Sequence, residues 1–377
     1  MIELSCSDMG LPGQLMETPG AFLWWYVDLV DRSGNGLVVI WSFGLPFLPG
    51  HADGARRGDL QPPSNRPSLN VSLYRRGKLD FYLLQEFDPA DVQWQRERDG
   101  ESSCWVFGDS NLCSERVEEE RRVELSLVLD VPAMEQAVYV DVSARGPELR
   151  GDWAPESEST PERALSQLPD HQWSPLLCAA SGRVDVDMGE GGQQFVGRIY
   201  HDRNGGCLPL HDLGIQWWSW GRVALEECEF VYFVLHGRSR RCRALFLMVE
   251  SDGTARKMMT CRVGKSEESK NLAGLRFWRR VQIERRQKTW LNLHFEAVDS
   301  GPFYQRSLVR GTVVGGGQIR GIAEFCEPDR VDLGRHRPMV KMRVHHRRGD
   351  NSMWLPLFSG PRKGRVRRLL RMWAKGG

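Results

Sequence analysis

Short apolar or alternating runs, each closed by Gly, Pro, Asn or Asp, follow one another along almost the whole chain, which is the pattern of β-strands. Residues 21–30 and 37–43 flank Asp31-Arg32-Ser33-Gly34-Asn35-Gly36, whose composition suits a hairpin turn. Further strands are predicted at 69–74, 78–86, 104–108, 122–129 and 137–143. After a polar, proline-bearing stretch at 146–170 they resume at 182–188, 193–201, 216–223, 228–236, 241–250, 255–263, 281–285, 289–299, 304–313, 321–327 and 339–346. Residues 51–66, rich in Gly, Pro and Arg, read as a long loop or lid. The expected fold is all-β, with β-barrel or β-sandwich domains at 1–180 and 181–360 joined through 146–170, and a tail at 361–377.

The tail is the one helical segment the pattern predicts. Val366, Leu369, Leu370 and Trp373 fall at i, i+3, i+4 and i+7, one face of a helix. Seven Lys and Arg and no acid lie in the last sixteen residues; without them 44 basic residues face 49 acidic ones. A basic helix with an apolar stripe and a tryptophan suits an anionic membrane surface, whereas a nucleic-acid role is not expected of the body. Hydrophobic residues make up 41% and charged residues 27%, and no apolar run approaches the length of a membrane span. The start of the sequence lacks a secretory pattern, so a cytoplasmic protein, peripheral on the inner membrane surface through its tail, is expected. Nine cysteines without a CxxC pair fit reduced, mostly buried thiols, and no metal site has recognisable spacing. No glycine fingerprint for a dinucleotide lies between a strand and a helix.

Candidate chemistry gathers at 197–206, where Tyr200, His201, Asp202 and Asn204 precede Gly205-Gly206. Such residues also make ordinary surface turns, and the stretch is read as a strand breaking into a glycine turn. If the piece is extended, Tyr200 and Asp202 share one face and His201 points away, as a structural group. His171 and Trp173 share a face by the same rule. Trp217, Trp218 and Trp220 read as barrel core and as walls for an apolar ligand. Asp28 suits a buried partner for an arginine, and Tyr304, Arg306 and Glu324 suit either a polar network or ligand contact.

Trp24-Trp25-Tyr26-Val27-Asp28, His171-x-Trp173, Tyr200-His201-Asp202-x-Asn204-x-Gly206, Trp217-Trp218-x-Trp220-Gly221 and Phe303-Tyr304-x-Arg306 together resemble, in order and spacing, the carotenoid 1,2-hydratases, also called hydroxyneurosporene synthases. The segment 45–51 and the tail after Trp354 carry no feature of that family. The resemblance implies two lipocalin-like domains and addition of water to a terminal C=C of an acyclic carotenoid or related isoprenoid without a cofactor. It implies Asp202 as the acid, oriented by Tyr200, with His171 positioning water and Trp173 stabilising a cation. It implies a substrate channel walled by Trp25, Trp217, Trp218, Trp220 and Tyr304. Two alternatives stay open on the same residues: an acid-initiated isoprenoid or polyketide cyclase or isomerase, and a lipocalin-like carrier that does no chemistry.

Overall fold

The computed structural model describes residues 2–4, 13–44, 48–96, 102–151, 171–189, 192–239 and 242–375. Most of the expected connection, 152–170, and Leu45-Pro46-Phe47 lie outside the described residues. The described chain forms two large, curled, almost wholly antiparallel sheets of fourteen and ten strands.

The site is built around the middle of the first sheet, where Pro67–Arg75, Gly36–Phe43, Phe22–Val30, Gln193–Gly206 and His171–Asp187 lie side by side. In the second sheet Cys228–Gly237, Ile215–Ala224, Gln318–Cys326, Tyr304–Val313 and Lys288–Ser300 are neighbours in that order. The division expected at 180/181 falls inside the strand His171–Asp187. Apart from Arg150–Gly151, which pairs with Thr254–Lys257 in the second sheet, the described strands up to Gly206 belong to the first sheet, which also holds Val344–His346 and Gly360–Pro361. Hydrogen-bonded pairing, which sequence periodicity does not report, decides that membership.

Each sheet encloses a core of its own, and a third apolar layer joins them. Trp25, Trp41, Phe43, Trp105 and Phe107 fill the first sheet, and Phe230, Tyr232, Trp278 and Leu291 the second. Phe22, Trp24, Tyr26, Trp173 and Tyr200 meet Trp218, Trp220 and Phe233 between them. Phe22–Val30 is therefore buried at all nine positions, one face in each layer, and its sequence is apolar at every position but Asp28 for that reason. Gly197 allows the strands to meet closely here, since a Cβ at that position would lie 2.4 Å from the Val30 carbonyl oxygen.

Several expectations need correction. The predicted loop at 51–66 contains the helix His51–Arg56, whose start is held by backbone N–H groups of Gly50 and Asp53 donating to the Asp332 carboxylate (2.7 and 3.0 Å). The predicted strand at 339–346 is the end of the helix Arg337–Lys341 followed by the short strand Val344–His346. Cys104 and Cys113 are disulfide-bonded, because the register of neighbouring strands sets them opposite one another. That pairing removes the argument for wholly reduced cysteines. The tail forms the helix Arg365–Lys375, but its stripe splits: Leu369 turns inward while Val366, Leu370 and Trp373 stay exposed. No helix among the described residues is long and apolar enough to cross a membrane.

Candidate active site between the two sheets

Gln193–Gly206 does not break into a turn: it runs as one strand through both terminal glycines. It pairs with Phe22–Val30 on one side, setting Asp202 opposite Tyr26 and Asn204 opposite Trp24. On the other side it pairs with His171–Asp187, setting Asn204 opposite Trp173. Period-two alternation then turns Tyr200, Asp202 and Asn204 toward the second sheet. His201 faces the other way, its Nδ1 3.0 Å from the Tyr26 carbonyl oxygen. Bulges after Pro175 and after Leu177 interrupt the neighbouring strand, so that Trp173 faces the shared layer and Leu177 the first sheet's core.

Asp202 is 3% exposed and its carboxyl group receives three hydrogen bonds. The Trp173 indole N–H and the Tyr200 hydroxyl both donate to Oδ2, each at 2.8 Å. The Asn204 amide donates to Oδ1 at 3.0 Å. A carboxyl oxygen offers two lone-pair directions; those of Oδ2 are both engaged, and Oδ1 keeps one for a proton. Burial pushes the Asp202 carboxyl up to about 8, the donors from Tyr200 and Trp173 opposing that rise and the charges of Glu324 and Asp28 adding to it. The neutral acid therefore predominates at pH 7.

Asn204 continues the chain of contacts, its Oδ1 lying 3.1 Å from His171 Nε2. With the amide nitrogen committed to Asp202, the amide oxygen must accept, so Nε2 carries the imidazole proton and Nδ1 keeps a lone pair. That Nδ1 is buried and has no partner among the described residues. Burial lowers the His171 pKa to about 4, keeping the ring neutral. Aromatic rings close the space around these groups. Trp220 lies 5.0 Å from Tyr26 and 5.1 Å from Tyr200, while Trp173 meets Phe233 edge-on at 5.4 Å.

Behind this layer Arg222 joins Asp28, at 2.9 and 3.1 Å from its Nε, to Glu229, which also accepts the Ala179 backbone N–H at 2.6 Å. Asp28 thus has the arginine partner its position suggested. Burial still holds its carboxyl up, at about 6, against the opposing Arg222 charge. Arg306 binds Glu324 (3.0 Å), the Tyr74 hydroxyl (2.9 Å) and the Tyr304 hydroxyl (2.8 Å).

Of the residues singled out from sequence, Asp202, Tyr200, His171, Trp173, Trp218 and Trp220 share the layer between the sheets, and Tyr304 packs against it. Trp25 and Trp217 do not. Trp25 belongs to the first sheet's core beside Phe43 and Trp105. Trp217 lies on the far face of the second sheet, between His236 and Phe325. Alternation puts each on the side opposite its functional neighbour. Phe233 was not singled out from sequence, and Asn204 and Tyr26, named in the motifs, were given no role there. Asn204 was accessible to the same period-two rule as Asp202; Tyr26 and Phe233 required the register.

The Carotenoid hydratase CrtC family matches residues 134–353, more than half of the chain and both strands that carry the acid and its donors. The chain belongs to this family. The resemblance noted from five short motifs is thereby shown, and Trp24 to Asp28 lie outside the matched span. Among its relatives, a hydroxyneurosporene dehydrogenase of Chlorobaculum tepidum is 28% identical over 83% of this chain and 84% of its own. Acyclic carotenoid 1,2-hydratases of Thiocapsa roseopersicina and Rubrivivax gelatinosus are 26% and 25% identical over 79% of this chain and 66% of each of theirs. In fold this chain is similar to a candidate AttH protein of Nitrosomonas europaea (TM-score 0.55, 15% identity, 85% and 95% of the two chains). It is also similar to CghA solved with Sch210972 (TM-score 0.51, 13% identity, 85% and 93%). The lipocalin-like all-β fold expected from sequence is thus observed, with its short C-terminal helix.

Proposed function

We propose that this protein adds water to a terminal trisubstituted C=C of an acyclic carotenoid or closely related isoprenoid, with Asp202 as the acid. The observation that carries the reading is a carboxyl group held neutral by burial, fixed by three donors and roofed by aromatic rings. The names of the relatives support the substrate class. An alkene is a poor base, so it needs a strong, desolvated, oriented proton donor. Asp202 Oδ1 gives its proton to the alkene CH carbon, and the π pair forms that C–H bond, leaving a tertiary cation. The faces of Trp220, Tyr26 and Trp173 stabilise such a cation by roughly 0.5 to 2 kcal/mol each. Water adds through its oxygen, and the proton it sheds returns to the Asp202 carboxylate, directly or by way of His171 Nδ1. The sum is alkene plus water giving tertiary alcohol, with the acid regenerated and no cofactor consumed.

The exposed residues Val366, Leu370 and Trp373, edged by Arg367 and Arg371 and extended by Trp354 against Trp373 (5.4 Å), form the surface we assign to an anionic membrane. A substrate dissolved in lipid makes that placement useful.

The test is purified protein with lycopene or neurosporene in micelles made up in heavy water, beside Asp202→Asn. A product heavier by one water, with deuterium on carbon and lost in the variant, is expected. Bound but unchanged polyene would favour a carrier, and deuterium uptake without water gain would favour a cyclase or isomerase.

A further inference from the structure

The strand registers place Asp202 at the inner end of a straight row. Asp202 pairs with Tyr26, Tyr26 with Ile40, Ile40 with Asn70 and Asn70 with Leu84, so five residues on successive strands point into the layer between the sheets. The second sheet supplies a matching row: Trp220 pairs with Glu324, Glu324 with Arg306 and Arg306 with Asp299. The rows face one another, since Tyr26 meets Trp220 at 5.0 Å and the Tyr74 hydroxyl, from the strand of Asn70, meets Arg306 at 2.9 Å. At the outer end lies a cavity of about 70 Å³, lined by Ile40, Asn70 and Leu84 from one row, by Asp299 and Tyr304 from the other sheet, and by Arg343. Ile40 and Asn70, in mid-row, are partly exposed, whereas Asp202 (3%), Tyr26 (4%) and Leu84 (6%) are buried.

We propose that these facing rows are the binding channel for the non-reacting part of the substrate, an elongated apolar chain that passes the cavity between Leu84 and Tyr304 and ends at Asp202. This rests on the hydration reading for what happens at the inner end, but not for the channel itself. Four strand spacings of about 4.8 Å separate Leu84 from Asp202, so the channel holds roughly 19 Å of chain. Its polar members do not call for a polar ligand. Each guanidinium nitrogen of Arg306 already donates to Glu324, Tyr74 or Tyr304, and its flat face lies 5.2 Å from the Tyr304 ring centre. Asn70 donates to the Leu83 carbonyl oxygen at 3.0 Å and Glu324 accepts from Arg306, so the channel is bordered by rings, a guanidinium face, Ile40 and Leu84, with the Asp299 carboxylate at its outer end. The cavity has room for only the first few carbon atoms, so a chain lying along the full row displaces the Phe303 and Tyr304 rings. The remainder of a long polyene projects past Arg343, whose guanidinium packs on the Tyr82 and Phe358 rings at 5.9 and 5.7 Å. That guanidinium is close enough to the start of the basic helix to help lower the Arg365 pKa, behind the larger effects of burial and Arg362.

The test uses the full chain and cis-parinaric acid, a conjugated tetraene fatty acid, as probe. Ile40→Cys introduces a small thiol in mid-channel, and N-ethylmaleimide labelling at that peptide is followed by mass analysis. Saturating parinarate should slow labelling at least about tenfold, the protection given by a site occupied nine-tenths of the time or more. Ile40→Trp, which fills the channel, should weaken parinarate binding about tenfold, equivalent to about 1.4 kcal/mol, and raise KM for lycopene with kcat retained. An unchanged labelling rate with bound parinarate, or no parinarate binding by the unaltered protein, overturns the channel whether or not Ile40→Trp folds. Protection without hydration of any polyene would leave the channel standing and remove the chemistry. Asp202-dependent hydration with an unprotected thiol would do the reverse.

Discussion

The Trp173 indole N–H donates to Asp202 Oδ2 at 2.8 Å, while the Tyr200 hydroxyl donates to the same oxygen at the same distance. Both bonds favour the carboxylate and so temper the effect of burial, which alone would leave Asp202 too weak an acid to release its proton. Trp173→Phe keeps the ring and deletes one donor. The alkaline limb of the kcat profile, set by Asp202 near pH 8, should then move upward by about one pH unit while kcat falls. A limb that stays in place in this variant would separate Trp173 from control of the acid.

Asp202→Asn should lower turnover roughly 10²- to 10⁴-fold, the usual contribution of a general acid. It should also stabilise the fold in alkali. The folded pKa of Asp202, about 8, stands above its ordinary value of 3.8, so the folded state binds the extra proton between them. Stability linked to that proton is full below about pH 4 and is lost as pH rises through 8. Asparagine has no such dependence. Denaturant midpoints at pH 5 and pH 9 should therefore show the variant gaining on the parent as pH rises, by several kcal/mol at most. Parallel curves for the two proteins would mean that Asp202 does not titrate as the geometry requires.

What the sequence revealed of this site follows from where one periodicity was enough. Tyr200 with Asp202 and His171 with Trp173 are two apart on extended strands, so their common faces could be read directly, and Asn204 obeys the same rule. Trp25 was misplaced because Phe22–Val30 is apolar at almost every position and buried on both faces, and Trp217 because it adjoins Trp218 and a register shift in Ile215–Ala224. Alternation is silent in such a strand, and only packing tells which tryptophan meets which core. The pairing of Cys104 with Cys113, at a sequence separation of 9, and the row from Asp202 to Leu84 both depend on inter-strand register, which the periodicity of a single strand does not report. The division into sheets was hidden for the same reason.

Arg222 is 1% exposed and stands between Asp28 and Glu229, both buried. Arg222→Met would leave two carboxyl groups in the layer behind Tyr200 with no cation, and breaking such a pair costs about 3 to 5 kcal/mol. The loss should be partly recovered by adding Asp28→Asn, which removes one of the stranded acids. Equilibrium unfolding of the two variants decides this. If Arg222→Met alone unfolds at the parent's midpoint, the triad is not holding the strands that carry Asp202.

The C-terminal helix offers a prediction that is independent of the chemistry. Its inner side is fixed to the body: Leu369 is buried, and the Arg368 guanidinium donates to the Ser359, Pro361 and Lys363 carbonyl oxygens at 3.1, 2.6 and 3.0 Å. Its outer side exposes Val366 at 64%, Leu370 at 56% and Trp373 at 41%. Removing the whole segment would disturb the anchoring contacts, so the informative change is Val366→Ser with Leu370→Ser and Trp373→Ser, which alters only the exposed stripe. At low salt the parent should sediment with phosphatidylglycerol vesicles and not with phosphatidylcholine vesicles, because each Lys or Arg near an anionic surface contributes about 1 kcal/mol. Added salt should weaken this binding, as screening shortens the reach of the charges. The triple variant should lose at least about tenfold in affinity, since three partly buried apolar side chains contribute more than the 1.4 kcal/mol that a factor of ten requires. Its thermal unfolding should match the parent's. Equal sedimentation of parent and variant would mean that charge alone, or no membrane at all, accounts for this face.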